Sequence, residues 1–206
     1  MKLTERSLTE LMAAFQSSDP TPGGGSASAL AGAIGASLLA MVATLPKSRA
    51  AEDEERLRLE AAALRCRTLA AELTSLVDRD SQAYDLVIAA YRRPKGSAAE
   101  KAIRSDAIQE ALRTAIAVPL EVMRCCSAAI DEGGAVAALG NPSASSDVQV
   151  GVELLTAGLR GARLNVEINL GSIRDAPYAE RVRMDIADIE QHASAARAAV
   201  AQTAQS

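Results

Sequence analysis

Residues 20–46 read PTPGGGSASALAGAIGASLLAMVATLP, a turn of proline and glycine followed by a long run of small residues. No residue from Ser26 to Pro46 carries a charge, and the length of the run approaches the ~20 residues of a membrane span. The run is mostly alanine, glycine and serine, however, and such a composition is marginal for membrane insertion. We therefore predict a buried central helix that opens at Gly25 or Ser26 and closes at Pro46, with a membrane span as the alternative.

Small residues recur along this predicted helix at Gly32, Gly35, Ala36 and Ala40. They would let another backbone approach closely. A glycine inside a helix costs ~1 kcal/mol relative to alanine, and close packing or a partner subunit would offset that cost. We expect a homodimer that buries this helix or its neighbours.

The composition of the whole chain favours helices over a sheet. The 206 residues are 49% hydrophobic but only 2% aromatic, whereas strands are rich in aromatic and β-branched residues. We predict an all-α fold, with one domain over residues 1–206 built as an antiparallel helical bundle. The net charge is −4 and no basic patch stands out, so a nucleic-acid partner is not expected.

Cysteine and histidine usage indicates a reducing compartment and no metal site. The three cysteines, Cys66, Cys125 and Cys126, are odd in number and two are adjacent, so they imply no disulfide framework. The single histidine, His192, is not at metal-ligand spacing from any of them. The charged N-terminus does not resemble a signal peptide. We expect a cytoplasmic protein without a bound metal, a prosthetic group or a membrane partner.

Caps and helix breakers divide the rest of the chain. Thr4 is a candidate cap for a first helix, and residues 50–91 lack proline and glycine, which predicts one long helix or two nearly continuous ones. Ser97 and Glu100 form a capping box for the next helix. Further predicted boundaries are a kink at Pro119, loops at Gly133–Gly134 and at residues 140–143, and helix caps at Asp147 and Asp175.

Asp80 is the most informative single residue. It falls in the apolar helical stripe that contains Leu76 and Tyr84, where a carboxylate is costly unless it is paired or hydrogen-bonded. Burial can tune the pKa of such a group for acid, base or cation-stabilising chemistry. The alternative is a structural ion pair with a neighbouring helix. Asp78 and Asp85 are predicted to point toward solvent.

Other features point more weakly to a ligand site. The loop over residues 19–26 offers free backbone amides at a helix N-terminus, where anions and carbonyl oxygens bind, although a sharp turn alone explains it as well. Asn165 and Asn169 lie four residues apart on one helical face and suit either a planar hydrogen-bonding ligand or bonds between helices. Basic residues at predicted helix ends suit C-capping or the carboxylates of a ligand; they are Lys47, Arg49, Arg92, Arg93 and Lys95.

With these features together, the sequence resembles the cyclodeaminase family of folate enzymes. This family includes the cyclodeaminase domain of formiminotransferase-cyclodeaminase and stand-alone methenyltetrahydrofolate cyclohydrolases. The resemblance follows family order across nearly the whole chain, in PTPGGGSASALAGAIGASLLAMVA at 20–43, VDRDSQAYDLVIAAYRRPK at 77–95, AIQEALRTAIAVPL at 107–120, Gly140-Asn141 with Ser146-Asp147, and GARLNVEINL at 161–170. One departure is Leu45-Pro46-Lys47-Ser48-Arg49, where many relatives carry Leu-Thr-x-Gly before a basic residue.

The resemblance implies an all-helical homodimer that binds a tetrahydrofolate derivative as its substrate, with Asp80 as the catalytic residue. It also implies a set of substrate-binding residues: Pro22, Gly23, Gly24, Gly25, Ser26, Arg49, Tyr84, Lys95, Asn141, Asp147, Asn165 and Asn169. A formiminotransferase is a further expected partner.

The chemistry expected from the resemblance takes place on the one-carbon unit between N5 and N10. The first candidate is formimidoyltetrahydrofolate cyclodeaminase, in which N10 attacks the formimino carbon and ammonia leaves to give the methenyl compound. The second is methenyltetrahydrofolate cyclohydrolase, in which water attacks the methenyl carbon. A non-catalytic helical assembly module is the alternative from another class.

Overall fold

The structure is a computed structural model that describes residues 2–203, and it confirms the all-helical prediction: no strand occurs in that range. A 3-10 turn at Leu3–Glu5 comes first. The helices are α1 (Leu8–Phe15), α2 (Gly24–Thr44), α3 (Asp53–Tyr91), α4 (Ala98–Leu139), α5 (Ser145–Leu170) and α6 (Ala176–Thr203), with a second 3-10 turn at Pro142–Ala144 before α5.

Most predicted boundaries agree with the structure. The single long helix is α3, and the capping box at Ser97 starts α4, where the Ser97 hydroxyl accepts the Glu100 N–H. Asp175 caps α6, because its carboxylate accepts the backbone N–H of Tyr178 at 2.9 Å.

Three predicted boundaries are wrong. Ser7, not Thr4, caps the first helix, since its hydroxyl accepts the N–H of Glu10, while Thr4 belongs to the preceding 3-10 turn. Gly133 and Gly134 lie inside α4, because the buried face of that helix continues past them to Val136. Asp147 stands in the first turn of α5 rather than at its cap, which is Ala144.

Helix α2 is the centre of the bundle, packed between α3 and α5 and over α4. A Cβ built on Gly35 would lie 2.5 Å from the carbonyl oxygen of Gly151, so α2 and α5 approach backbone to backbone at this point. The small residues Gly32, Gly35, Ala36 and Ala40 are buried inside the chain. They therefore no longer motivate a dimer, because neighbouring helices of the same chain already cover them: α5 at Gly35, and α3 and α4 at Gly32.

The same helix is long and apolar enough to cross a membrane by length and composition, with a mean hydropathy of 1.8 over its most apolar window. In the structure, however, 56% of that window is buried among the neighbouring helices. The core helix of a folded bundle can have the same length and apolar composition as a membrane span.

Unequal helix lengths leave a gap at one end of the bundle. Helix α2 begins beside Asp80 of α3, and α3 continues for a further 11 residues to Tyr91, which is roughly 16 Å of helix. The first part of α4 and the last turns of α5 run alongside this extension. Because no residue of α2 reaches into the space between them, a cleft remains there.

Candidate active site

The cleft beyond the start of α2 has a volume of about 430 Å³. The loop before α2 and the helices α3, α4 and α5 each form part of its wall, so four separate chain segments converge there. Its lining residues are Pro20, Thr21, Gly23, Gly24, Gly25, Asp80, Ala83, Tyr84, Val87, Tyr91, Leu112, Ala115, Asn165, Ile168, Asn169 and Ser172. Within the described part of the chain, Asp80 is the only charged side chain among them.

Asp80 is held against the N-terminus of α2. That helix has Gly23 as its cap and no side chain of its own to accept its first free N–H groups. The Ser26 hydroxyl donates to Oδ2 of Asp80 at 2.9 Å. A Cβ on Gly25 would lie only 2.5 Å from Cγ of Asp80. The glycine at position 25 is therefore what allows the carboxyl group to come this close to the helix end.

The environment of Asp80 acts on its pKa in two opposing directions. Burial raises the pKa of the Asp80 carboxyl above its ordinary value, while hydrogen bonds from the hydroxyl and backbone N–H of Ser26 lower the pKa and offset part of that effect. Burial is the larger influence, so the net shift is upward. A carboxyl group whose pKa is raised in this way is suited to exchange protons.

Asn169 serves the fold as well as the cleft. Pro119 inside α4 has no N–H to donate to the carbonyl of Ala115, four residues earlier. The side-chain amide of Asn169 donates to that carbonyl at 3.1 Å and also to the carbonyl of Asn165 at 2.9 Å. Both of its amide hydrogens are thus committed, and its Oδ1 can only accept.

Asn165 has a similar arrangement one turn earlier in α5. Its side-chain nitrogen donates to the carbonyl of Gly161 at 2.9 Å. That nitrogen is 3.5 Å from a Cβ built on Gly24, so Asn165 lies at the mouth of the glycine loop. The two asparagines therefore offer acceptor oxygens to the cleft, on the wall that faces the free amides of α2.

Comparison with known proteins agrees with this architecture. Residues 7–188 match the family model described as formiminotransferase-cyclodeaminase. A methenyltetrahydrofolate cyclohydrolase from Methylorubrum extorquens is 38% identical over 92% of this chain and 91% of its own length. The chain belongs to the formiminotransferase-cyclodeaminase family.

Two further relatives show how far the similarity extends. The formimidoyltransferase-cyclodeaminase of Rattus norvegicus is 34% identical over 96% of the chain, which spans only 37% of that longer protein. The crystal structure of formiminotetrahydrofolate cyclodeaminase from Thermotoga maritima superposes with a TM-score of 0.87 over 99% of this chain and 98% of that one. At 24% sequence identity, this last likeness shows a shared fold.

Several residues predicted for the site of this cyclodeaminase-family chain come together in the structure. The glycines at 23–25, Asp80, Tyr84, Asn165 and Asn169 all line the cleft. Ser26 lies directly beneath Asp80, and Pro22 adjoins the lining residues Thr21 and Gly23. Lys95 is exposed, four residues along the chain beyond the lining residue Tyr91, and is not itself among the lining residues.

Arg49, Asn141 and Asp147 lie at the opposite end of the bundle, past the far end of α2 or at the start of α5. The 21 residues of α2 put about 30 Å between the two ends, so none of the three reaches the cleft of its own chain. Asn141 donates to the carbonyl of Pro46 at 2.6 Å. Arg49 donates from its side chain to the carbonyl of Ala137 at 3.4 Å, in the last turn of α4. Here these two side chains join loops and helix ends.

Asp78 does not point freely to solvent as predicted. Its carboxylate accepts the backbone N–H of Leu3 and the hydroxyl of Thr4, each at 2.6 Å. It thereby fixes the N-terminal turn to α3. Asp85 is exposed, as predicted.

Residues of α4 in the cleft wall, Leu112 and Ala115, were not identified from the sequence. Their apolar side chains do not indicate a role in chemistry. Pro119, which lacks an N–H, does indicate that the backbone carbonyl of Ala115 needs another donor. Tyr84 is more exposed than a core stripe predicts, at 37%, because it stands at the cleft opening.

Other parts of the described structure offer less to a reacting ligand. A groove of about 490 Å³ between α5 and α6 contains Glu153 and Arg197, which bind each other at 2.5 Å. No group of three or more His, Cys, Asp or Glu side chains within residues 2–203 is placed to hold a metal ion.

Proposed function

We propose that this chain is a folate enzyme that acts on the one-carbon unit between N5 and N10 of tetrahydrofolate. The observation that carries the proposal is a lone carboxylate, Asp80, in a cleft of otherwise uncharged residues. The methenyl compound, which is the substrate of one family reaction and the product of the other, is a cation delocalised over two nitrogens. A unit positive charge about 4 Å from a carboxylate gains ~4 kcal/mol at an effective dielectric constant near 20.

Methenyltetrahydrofolate cyclohydrolase, which the sequence alone placed second, now becomes the first candidate. The relative of this name matches 91% of its own length at 38% identity, whereas the bifunctional relatives are matched over about a third of theirs. In this reaction, ionised Asp80 takes a proton from water as the water oxygen bonds to the methenyl carbon. One carbon–nitrogen bond then breaks, and the leaving nitrogen takes up that proton from Asp80. The hydroxyl on the carbon loses its own proton to solvent as the carbonyl double bond forms, and a formyl compound is released.

Formimidoyltetrahydrofolate cyclodeaminase is the second candidate, favoured by the names of the bifunctional relatives. Here N10 attacks the carbon of the protonated formimino group, and Asp80 accepts the proton lost from N10. Asp80 then returns that proton to the amino group, whose carbon–nitrogen bond breaks to release ammonia and leave the methenyl cation. Both reactions need a group beside the one-carbon unit that takes up one proton and returns it, and both therefore make the same demand on Asp80.

The walls of the cleft suit a flat ring. The free amides of Gly24 and Gly25 are donors, while the Oδ1 atoms of Asn165 and Asn169 are acceptors for ring N–H groups. Tyr84 and Ile168, both exposed at the opening, provide apolar contact. We expect the exposed Lys95, four residues after the lining residue Tyr91, to attract the carboxylates of a glutamate tail.

The test is the near-ultraviolet absorbance of methenyltetrahydrofolate in the presence of the purified protein. Loss of absorbance from added methenyl substrate, faster than the uncatalysed rate, supports the cyclohydrolase. Appearance of absorbance with ammonia release from formiminotetrahydrofolate supports the cyclodeaminase. Absence of both activities, and of calorimetric binding to any reduced folate, would contradict the proposal.

A homodimer is part of the same proposal, on a new basis. The solvent-facing side of α2 carries no charge and exposes Ile34 at 47% and Met41 at 40%, and the adjoining α5 exposes Val150 and Leu164. A second copy would cover this apolar face. Light scattering should give about twice the chain mass of 21.4 kDa, and Ile34→Glu should shift the protein toward monomer. A wild-type monomer at micromolar concentration would contradict the dimer.

A formiminotransferase is a further proposed partner. If the cyclodeaminase is the correct candidate, its formimino substrate has to be made by a formiminotransferase, the activity that the names of the longer relatives carry. Co-purification or channelling assays with such a transferase test this point.

A further inference from the structure

Ser26 lies beneath Asp80 with three oxygen atoms around its hydroxyl. It is completely buried. Its Oγ is 2.9 Å from the carbonyl oxygen of Val77, 2.9 Å from Oδ2 of Asp80 and 3.2 Å from the hydroxyl oxygen of Ser81. Two of these contacts have the geometry of a bond donated by Ser26.

A serine hydroxyl has one hydrogen, so it cannot donate to Val77 and Asp80 at the same time. The carbonyl of Val77 can only accept. The carboxyl group of Asp80 accepts when it is ionised and can donate when it is protonated. The direction of the Ser26–Asp80 bond therefore depends on whether Asp80 holds a proton.

We propose that Ser26 is a positioning residue whose hydroxyl reverses its hydrogen bond as Asp80 gains and loses its proton. With Asp80 ionised, Ser26 donates to Oδ2. With Asp80 protonated, Asp80 donates to Oγ of Ser26, and the Ser26 hydrogen turns to the carbonyl of Val77. Both states of the carboxyl group are then hydrogen-bonded in the same place, without movement of heavy atoms.

The surroundings of Asp80 leave this hydroxyl without a competing charge. In the described residues, α2 faces Asp80 with Gly25 and Ser26, and α4 and α5 line the cleft with uncharged residues. Tyr84 and Tyr91 are the other titratable groups that line the cleft. Burial raises the pKa of Asp80, and the hydrogen bonds from Ser26 act against that rise.

This role rests on the proposed function for its catalytic meaning, since an acid–base residue must be stable in both protonation states during turnover. It departs from the prediction that Ser26 contacts substrate, because a hydroxyl with no exposed surface beneath Asp80 cannot do so while the carboxyl group remains in place.

The test is the titration of Asp80 in protein labelled with ¹³C at aspartate Cγ, with the Asp80 signal assigned by its loss in Asp80→Asn. Ser26→Ala removes the donor to the ionised form, and a bond to a charged group is stronger than the bond that the neutral form loses. We expect the midpoint for Asp80 to rise by about one pH unit, a tenfold gain in proton affinity.

Ser28→Ala is the matched control. It removes a buried hydroxyl from the same turn of α2, but that hydroxyl donates to the carbonyl of Gly24 at 2.7 Å, and the Asp80 midpoint should not move. Should Ser26→Ala fail to fold, Ser26→Cys fills the site with a thiol, a larger group and a weaker donor, and should shift the midpoint in the same direction by less.

An unchanged or lowered midpoint in the Ser26 variants would overturn the proposal, even if wild-type protein turns over folate. A raised midpoint in protein that acts on no folate would keep the hydrogen-bond reversal and refute the proposed function. Where turnover is measurable, the acid limb of its pH profile should move upward with the titration midpoint in Ser26→Ala and stay in place in Ser28→Ala.

Discussion

Gly25→Ala should separate the activity of this protein from its stability. The added Cβ would lie 2.5 Å from Cγ and 2.7 Å from Oδ2 of Asp80, whereas carbon atoms in contact are ~3.5–4.0 Å apart. The carboxyl group must therefore retreat by about 1 Å, and a misplacement of that size can cost ~10²-fold in rate. Alanine is better than glycine inside a helix by up to ~1 kcal/mol, so the free energy of unfolding should change little.

The assay compares turnover of methenyltetrahydrofolate, followed by absorbance, with thermal unfolding followed by circular dichroism. Gly134→Ala, inside α4 and away from the cleft, is the matched control, because its Cβ would meet nothing within 4 Å. We expect a normal melting temperature for both variants and lost turnover for Gly25→Ala alone. If Gly25→Ala and Gly134→Ala turn over substrate equally well, the close contact of Asp80 with the start of α2 is not needed for activity.

Three other predictions concern packing and titration. Asn169→Ala should lower the free energy of unfolding by about 1–3 kcal/mol in chemical denaturation, because the Ala115 carbonyl loses its donor. This loss should be smaller in a Pro119→Ala background, where residue 119 regains its backbone N–H, and an equal loss in both backgrounds would contradict the role of Asn169. Gly35→Leu should lower the free energy of unfolding by ~1–3 kcal/mol or more, because the larger side chain overpacks against the backbone of Gly151. Unchanged stability in chemical denaturation would contradict this backbone contact. Because burial raises the pKa of Asp80, wild-type turnover should fall as the pH drops through a value above the ordinary 3.8, and an acid limb at or below 3.8 would contradict this. Over the same pH range Asp80→Asn should lose any stability advantage that it has over wild type at neutral pH, since the wild-type folded state is favoured once Asp80 is protonated.

The helices and the Asp80 neighbourhood could be predicted from sequence because local signals decide them. Proline, glycine and capping residues mark most helix ends, and a carboxylate in an apolar stripe is conspicuous wherever the helix packs. Asp80 and Ser26, which are hydrogen-bonded in the structure, are 54 residues apart in sequence, yet Asp80 and the glycine loop before Ser26 are each recognisable within their own segments.

What sequence could not supply is the relative placement of distant segments. The buried faces of α4 decide that Gly133 and Gly134 continue a helix, which no local signal reveals. Arg49 and Asn141 resemble ligand-binding residues in sequence, but the length of α2 places them about 30 Å from the cleft of their own chain. The role of Asn169 depends on a carbonyl of another helix, released by Pro119.

Asp80→Asn tests the central claim most directly. The substitution keeps the size of the side chain and its capacity for hydrogen bonds but removes the charge and the exchangeable proton. Asp85→Asn, on the exposed side of the same helix, is the control and should retain wild-type turnover. We predict that Asp80→Asn folds, binds a reduced folate in calorimetry and loses turnover of the methenyl or formimino substrate by ~10²–10⁴-fold. Turnover by folded Asp80→Asn protein at the rate of the Asp85→Asn control would contradict the assignment of Asp80 as the catalytic residue.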